Sequence, residues 1–281
     1  MYNRELLQIN TENKAYLLGL FYSDGSISFK GYLCRIQLKD TDKELLEKIV
    51  ENFPFFKTYN KREGAITIWC SSKNLHKDLK ENGVLPRKSF ENKNLVKFPK
   101  INSVLYKDFI RGYLDGNGTV ALNKKTGKNT SDKKVFVYSV SVLFLRQLKY
   151  VLFKNKINSS IYKDTREILF NGKKHNTTLY RLSVPPRNLV KLYEFLYSHD
   201  SKIFLKRKKD TFDLIYNSPF FIEAVCPKCP ICKGKLVKNG VYNYKNVLNQ
   251  RFLCKKCNTN FLETALVSSN INNGEDELLE N

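Results

Sequence analysis

Long apolar runs are missing from this sequence. No stretch of its 281 residues approaches the ~20 consecutive apolar residues of a membrane-spanning helix. The opening Met1-Tyr2-Asn3-Arg4-Glu5 is not that of a signal peptide, so a soluble, intracellular protein is expected. Histidine is scarce: His76, His175 and His199 are the only three, and none stands in a nucleophile or metal constellation. Acids are outnumbered, 27 Asp and Glu against 49 Lys and Arg, which gives a formal charge of +22. That excess argues against an acidic small-molecule substrate and for a polyanionic partner. Cysteine is thinly spread before residue 226; Cys34 and Cys70 fall in inferred strands and read as core residues.

A repeated peptide stands out instead. Leu17-Leu18-Gly19-Leu20-Phe21-Tyr22-Ser23-Asp24-Gly25 and Ile110-Arg111-Gly112-Tyr113-Leu114-Asp115-Gly116-Asn117-Gly118 lie 93 residues apart. Each reads as a short helix with a glycine in its middle, ending in a turn that bears a carboxylate or a carboxamide. A glycine inside a helix costs about 1 kcal/mol relative to alanine, and close approach of a second backbone is the usual compensation. The chain supplies a second such helix, so a pseudo-twofold pair is expected. Asp24 then lies at the negative end of its helix dipole, unfavourable for an anion unless a cation binds there.

The segments downstream of the two copies are also alike. Residues 26–39 alternate about Gly31 as a hairpin, and Thr41 to Glu44 has capping-box spacing at the head of a helix through Val50. A second hairpin spans 55–59 and 65–70, and Ser71-Ser72 opens a helix to about Asn82. The order is αββαββα. The second copy offers a strand over 135–142, a helix over 144–153, a hairpin over 160–184 turning near Asn171-Gly172, and a helix over 187–197. The copies close on Leu85-Pro86-Arg87-Lys88 and Leu205-Lys206-Arg207-Lys208. The expected class is α+β, a tandem repeat with a period near 100 residues. Residues 95–103 form the joint, and 211–225 lead out, with Phe212, Leu214 and Ile215 closing the core.

The paired peptides resemble the motifs of the single-chain (DOD-type) LAGLIDADG homing endonucleases, over about residues 10–215. The resemblance implies two αββαββα halves whose motif helices pack at the centre and whose saddle-shaped antiparallel sheets enter the DNA major groove. It implies Mg2+ or Mn2+ held by the acid at the eighth position of each motif. That position is Asp24 in the first copy and Asn117 in the second, where an amide replaces the carboxylate. An amide oxygen can ligate Mg2+ but lacks the charge that binds and orients the ion. Lys88 and Lys208 become candidates for residues that orient water or offset charge; for each, phosphate contact or plain solvation is the alternative. Asp115 points about 200° away from Asn117 on a helix and reads as helix termination or a contact within its own half. Lys30, Arg35, Lys39, Lys57, Lys61, Lys124, Lys125, Lys133 and Lys134 fall in inferred strands and turns among Tyr and Phe, as a DNA-facing sheet requires.

Five cysteines cluster near the C-terminus. Cys229 and Cys232, with Cys254 and Cys257, make two Cys-x-x-Cys knuckles separated by 21 residues, the spacing of a ribbon in which four thiolates hold one Zn2+. Cys226 overlaps the first knuckle and is a spare or substitute ligand. The order Cys232, Val237-Lys238-Asn239-Gly240, then Gln250 to Cys257 resembles zinc ribbons of insertion-sequence transposases, which implies DNA contact. The expected domains are 1–98, 99–218 and a ribbon over 222–265, followed by an acidic, disordered tail at 268–281. Three functions stay open. The leading one is a monomeric, site-specific, Mg2+-dependent endonuclease acting on double-stranded DNA with a long recognition site, biased toward nicking by Asn117. The others are an inactive DNA-binding descendant, in regulation or recombination, and an RNA maturase.

Overall fold

The computed structural model describes residues 8–62, 64–88, 95–124, 131–170, 173–197, 201–217, 229–244 and 247–262. They fall into two compact units: one comprises residues up to 122 with 133–212, the other 123–132 with the residues after 212.

The first unit contains both copies of the repeat, apart from residues 123–132 and the end of the last helix. The first runs α1 (Glu12–Ser23), β1 (Gly25–Ile27), β2 (Leu33–Lys39), α2 (Lys43–Asn52), β3 (Lys57–Arg62), β4 (Ala65–Ser71) and α3 (Lys73–Glu81). The second runs α4 (Tyr106–Asn117), β5 (Gly118–Lys124), β6 (Ser131–Ser139), α5 (Val142–Lys154), β7 (Ser160–Phe170), β8 (Lys173–Val184) and α6 (Leu189–Tyr197), and α7 (Lys206–Tyr216) comes after it. Both sheets have the same strand order, β1-β2-β4-β3 and β5-β6-β8-β7. The fold is thus α+β, with paired halves and seven α-helices among the described residues.

Alternation sets each sheet's two faces. In β2, Cys34, Ile36 and Leu38 point inward while Leu33, Arg35, Gln37 and Lys39 point out. Cys34 pairs with Cys70 and Ile36 with Ile68 across β4, so the inner face is continuous. The second sheet repeats this with Val135 opposite Val184 and Val137 opposite Leu182. Residues 15–23 of α1 are buried on all sides, as expected of a helix at the centre of a fold. The two motif helices interlock there. A Cβ on Gly19 would fall onto the carbonyl oxygen of Phe109, and one on Gly112 onto that of Tyr16. The pairs are related by the same 93-residue offset as the peptides, so the expected pseudo-twofold contact is present.

Several local expectations are corrected. Thr41 does not cap α2: a 3-10 turn, Asp40–Asp42, precedes the helix, Asp42 makes no cap bond, and the Thr41 N–H donates to Asp40 Oδ1 at 2.7 Å. The strand expected over 135–142 ends at Ser139, because Ser141 caps α5 by accepting from Phe144 N at 3.2 Å. Strand β5 was not anticipated. The lead-out expected at 211–225 begins as the second half of α7, with Phe212 and Ile215 buried but Leu214 63% exposed.

The second unit holds β9 (Leu236–Tyr244), β10 (Val247–Cys254) and β11 (Asn260–Leu262), in the order β11-β10-β9. Its core is small: Cys229, Leu236, Phe252 and Cys254, with Cys232, Cys257 and Phe261 packed against them. Among the described residues no helix is long and apolar enough to cross a membrane.

Candidate metal centres and basic sheet faces

The glycine interlock brings the C-terminal ends of α1 and α4 together. A Cβ on Gly116 would strike Ser23 Oγ and Asp24 Oδ2, so the Asp24 carboxylate lies against the backbone beside Asn117. Two negative helix ends and one carboxylate therefore share a small volume, an arrangement that calls for positive charge. Two lysines supply part of it. Lys88 Nζ donates to the carbonyls of Phe21 and Gly25, the latter at 2.6 Å. Lys208 Nζ donates to Leu114, Asp115 and Gly116 at 2.8, 2.5 and 3.3 Å. Phe21 and Leu114 are equivalent positions of the two motifs, so the lysines of the two closing segments perform one task twice. Neither is a solvated surface lysine.

Burial shapes the titration of this cluster. Desolvation raises the Asp24 carboxyl above its ordinary range, and Lys88 and Lys208 pull it back. Desolvation lowers Lys88 to about 7 and Lys208 to about 8, with Asp24 opposing the shift for Lys88 and Asp115 for Lys208. A carboxylate held this way gains from any cation that replaces its lost hydration.

Asn117 is held differently. Its side chain and that of Ser139 lie within hydrogen-bonding reach of the Tyr113 hydroxyl, whose pKa burial pushes up to about 12. That hydroxyl donates its one proton to the Tyr138 carbonyl at 2.6 Å. A donor amide facing that hydroxyl eases its ionisation, which is the sense in which Asn117 acts on Tyr113. Asp115 does not act within its own half alone, as expected from sequence. It is buried, accepts from Leu205 N at 2.8 Å, and accepts from the Tyr16 hydroxyl of the other half at 2.6 Å. The Asp42–Arg207 pair was missed by sequence reasoning. Its two bonds, 2.7 and 2.8 Å, tie the first half to the second, and Asp42 is close enough to raise the Asp24 carboxyl further.

The sheet faces opposite the core carry the basic residues. Ser26, Arg35, Trp69 and Lys57 stand in one row across the first sheet. Arg35 Nε donates to Ser26 Oγ at 2.9 Å, and Lys57 Nζ lies 5.9 Å from the Trp69 ring centroid. Lys30 is exposed in the β1–β2 turn, Lys39 at the end of β2, and Lys134 on β6, while Lys133 is half-buried. Lys125 and the side chains of Lys61 and Lys124 lie outside the described residues. In the second sheet Tyr138, Arg181 and Tyr162 align, with Arg181 5.2 Å from Tyr162, 5.6 Å from Phe136 and 3.6 Å from Asp164. Sequence reasoning passed over Arg181, although its place among alternating residues of β8 could have put it on that face.

The four cysteines 229, 232, 254 and 257 are assembled, every sulfur within 4.8 Å of the others. Cys229 and Cys257 sulfurs are 3.5 Å apart, and those of Cys232 and Cys254 3.4 Å. Zn–S bonds of about 2.3 Å in a tetrahedron need sulfurs about 3.8 Å apart, so the set fits one ion after a small adjustment of the sulfurs. The knuckles are copies of each other. Lys233 and Asn258 both adopt positive φ, 56° and 54°, and each first cysteine donates its N–H five residues on, Cys229 to Gly234 and Cys254 to Thr259. Gly234 is required: a Cβ there would press on the Cys232 and Cys254 sulfurs and on Lys256. Cys226 lies outside the described residues.

A family profile described as LAGLIDADG-like domain matches residues 105–196, which is α4 through α6. No curated protein matches the chain. Similar solved structures include the homing endonuclease I-DmoI in complex with DNA and Mn, 19% identical with a TM-score of 0.43, covering 67% of this chain and 98% of that one. Another is the LAGLIDADG meganuclease I-AabMI bound to uncleaved DNA, 15% identical with a TM-score of 0.45, covering 72% and 89%. A third is the I-SmaMI LAGLIDADG homing endonuclease bound to cleaved DNA, 12% identical with a TM-score of 0.44, covering 71% and 86%.

Proposed function

We propose that the protein is a metal-dependent, site-specific endonuclease of the LAGLIDADG homing type that acts on double-stranded DNA as a monomer. The observation that carries this reading is the meeting of two helix C-termini around one carboxylate, Asp24, with the amide of Asn117 beside it. Asp24 would hold a divalent cation and Asn117 would offer it a neutral oxygen; phosphate and water complete such a shell, as they do at Mg2+ sites with few carboxylates. A cation bound there would supply Lewis-acid polarisation of the scissile phosphate and the attacking water. Lys88 and Lys208 hold the two helix ends in register and neutralise them, so that phosphate can approach. The basic rows of the two sheets fit a long duplex site, Arg35 and Lys57 on one side and Arg181 on the other. We assign the functional segments as 1–98, 99–218 and 222–265, the last a ribbon that takes one structural Zn2+ through its four thiolates and extends the DNA contact.

With one full metal ligand and one weakened one, the two strands are cut unequally and nicking predominates. The same Asn117 favours a second reading, a DNA-binding protein that cuts neither strand. Incubating a randomised duplex library with Mg2+ or Mn2+ and sequencing the ends separates the two. Asp24→Asn abolishes the cleavage, and it raises the thermal stability of the metal-free protein, because burial already disfavours the ionised carboxyl. Cleavage that survives Asp24→Asn removes this site from the reaction, and tight binding without cleavage establishes the second reading.

A further inference from the structure

The two halves differ on a surface that the nuclease reading does not use. Helices α2 and α5 hold the same place in the repeat. The outer face of α2 is charged and self-paired: Lys43 with Glu47 and Lys48 with Glu44, both at 2.9 Å. The outer face of α5 carries Leu143, Tyr150 and Phe153, exposed by 36%, 62% and 62%. Beside it the segment after Leu95 is fastened across α5, with Phe98 N donating to Gln147 Oε1 and Ser141 Oγ donating to the Val96 carbonyl, both at 2.8 Å. Phe98 is wedged among Tyr106, Phe109 and Phe144, so the arrangement is preformed. It leaves a groove of about 590 Å3 between the strap and the helix, with Phe98, Ile101, Tyr106, Tyr150 and Val151 in its walls and Lys100 and Arg146 on its rim.

We infer that this groove docks an acidic, apolar segment of a partner protein. Neither α5 nor residues 95–101 contain an acid, and Lys149 and Lys154 add to the basic rim. A twofold contact with a second copy would set these cations against each other, whereas an Asp- or Glu-bearing segment complements them. The groove is concave and partly aliphatic, suited to inserted Leu or Phe side chains in the manner of helix-in-groove recognition rather than to a flat row of stacked bases. The matched helix α2 is the internal comparison: at the same position in the fold its outer face carries self-paired charges instead of exposed aromatics.

The test is panning of a random peptide library on the full-length protein. The expected result is a consensus that combines Leu, Phe or Trp with Asp or Glu. Its binding weakens at least about tenfold in Tyr150→Ser/Phe153→Ser and in Arg146→Glu/Lys149→Glu, with melting and duplex-DNA binding unchanged. Peptides lacking acids, or peptides indifferent to both variants, overturn the inference. So does self-association, or binding of a single-stranded RNA oligomer, that these variants abolish.

Discussion

At the first motif, α1 ends in a carboxylate, Asp24, and Lys88 closes over the Phe21 carbonyl of its last turn and the Gly25 carbonyl just beyond it. At the second, α4 ends in an amide, Asn117, and the more deeply buried Lys208 closes over three carbonyls. Further back along each helix the two copies are matched: Gly19 and Gly112 accept the other helix's backbone in the same way. The side-chain contacts around them have diverged. Tyr16 and Asp115 share a hydrogen bond, while the equivalent positions Phe109 and Tyr22 meet as an edge-to-face aromatic pair with centroids 5.0 Å apart. Packing constrains both copies equally because a methyl group cannot enter a backbone contact. On the proposed function, one copy keeps the charge that would hold a cation and the other offers only a neutral oxygen.

The largest expected effect comes from breaking the shared feature. Gly19→Ala and Gly112→Ala each place a Cβ on a carbonyl oxygen and are expected to destabilise the first unit by about 3 kcal/mol. The two costs should agree within about 1 kcal/mol in chemical denaturation, a larger difference contradicting the equivalence of the halves. Next in size is the paired substitution Cys254→Ser/Cys257→Ser. It removes half the thiolate set from a unit with little apolar core, so one bound zinc and the second unit's structure are lost and the DNA footprint shortens. The first unit's melting transition stays in place, and an unshortened footprint would confine the ribbon to a structural role.

The pH dependence of stability tests the two lysines. Both titrate lower in the native state, at about 7 for Lys88 and 8 for Lys208, than their ordinary 10.5. The unfolded chain therefore binds more protons across that interval, and stability rises with pH from about 7 toward 10.5. Lys88→Met and Lys208→Met should each flatten part of that rise in melting curves taken at several pH values. A slope unchanged in both variants would mean the lysines keep ordinary values.

Features written within a few residues of one another were legible in the sequence. The paired peptides, the Ser72 cap, which accepts from Leu75 N at 3.3 Å, and the alternation of β2 and β4 all have local signatures. The knuckle spacing placed the four thiols together, because Cys-x-x-Cys twice leaves little geometric choice. Strand β5 was not legible: Val120-Ala121-Leu122 is a continuous apolar run rather than an alternation. Nor were the contacts that join distant segments. Asp42 reads as part of a helix start, yet its carboxylate is turned to Arg207, 165 residues on. The repeated closing tetrapeptides marked Lys88 and Lys208, but nothing local reveals that a lysine will turn inward to cap another helix's carbonyls.

The central claim is that the halves bind alike and cut unlike, and strand-resolved cleavage of the cognate duplex tests it most directly. With each strand end-labelled and Mg2+ present, the wild-type protein should cut one strand at least about tenfold faster than the other, a difference of about 1.4 kcal/mol in barrier. Asn117→Asp, which restores the second carboxylate, should narrow that ratio by accelerating the slow strand. Equal rates in the wild type, or a ratio that Asn117→Asp leaves untouched, would contradict the account.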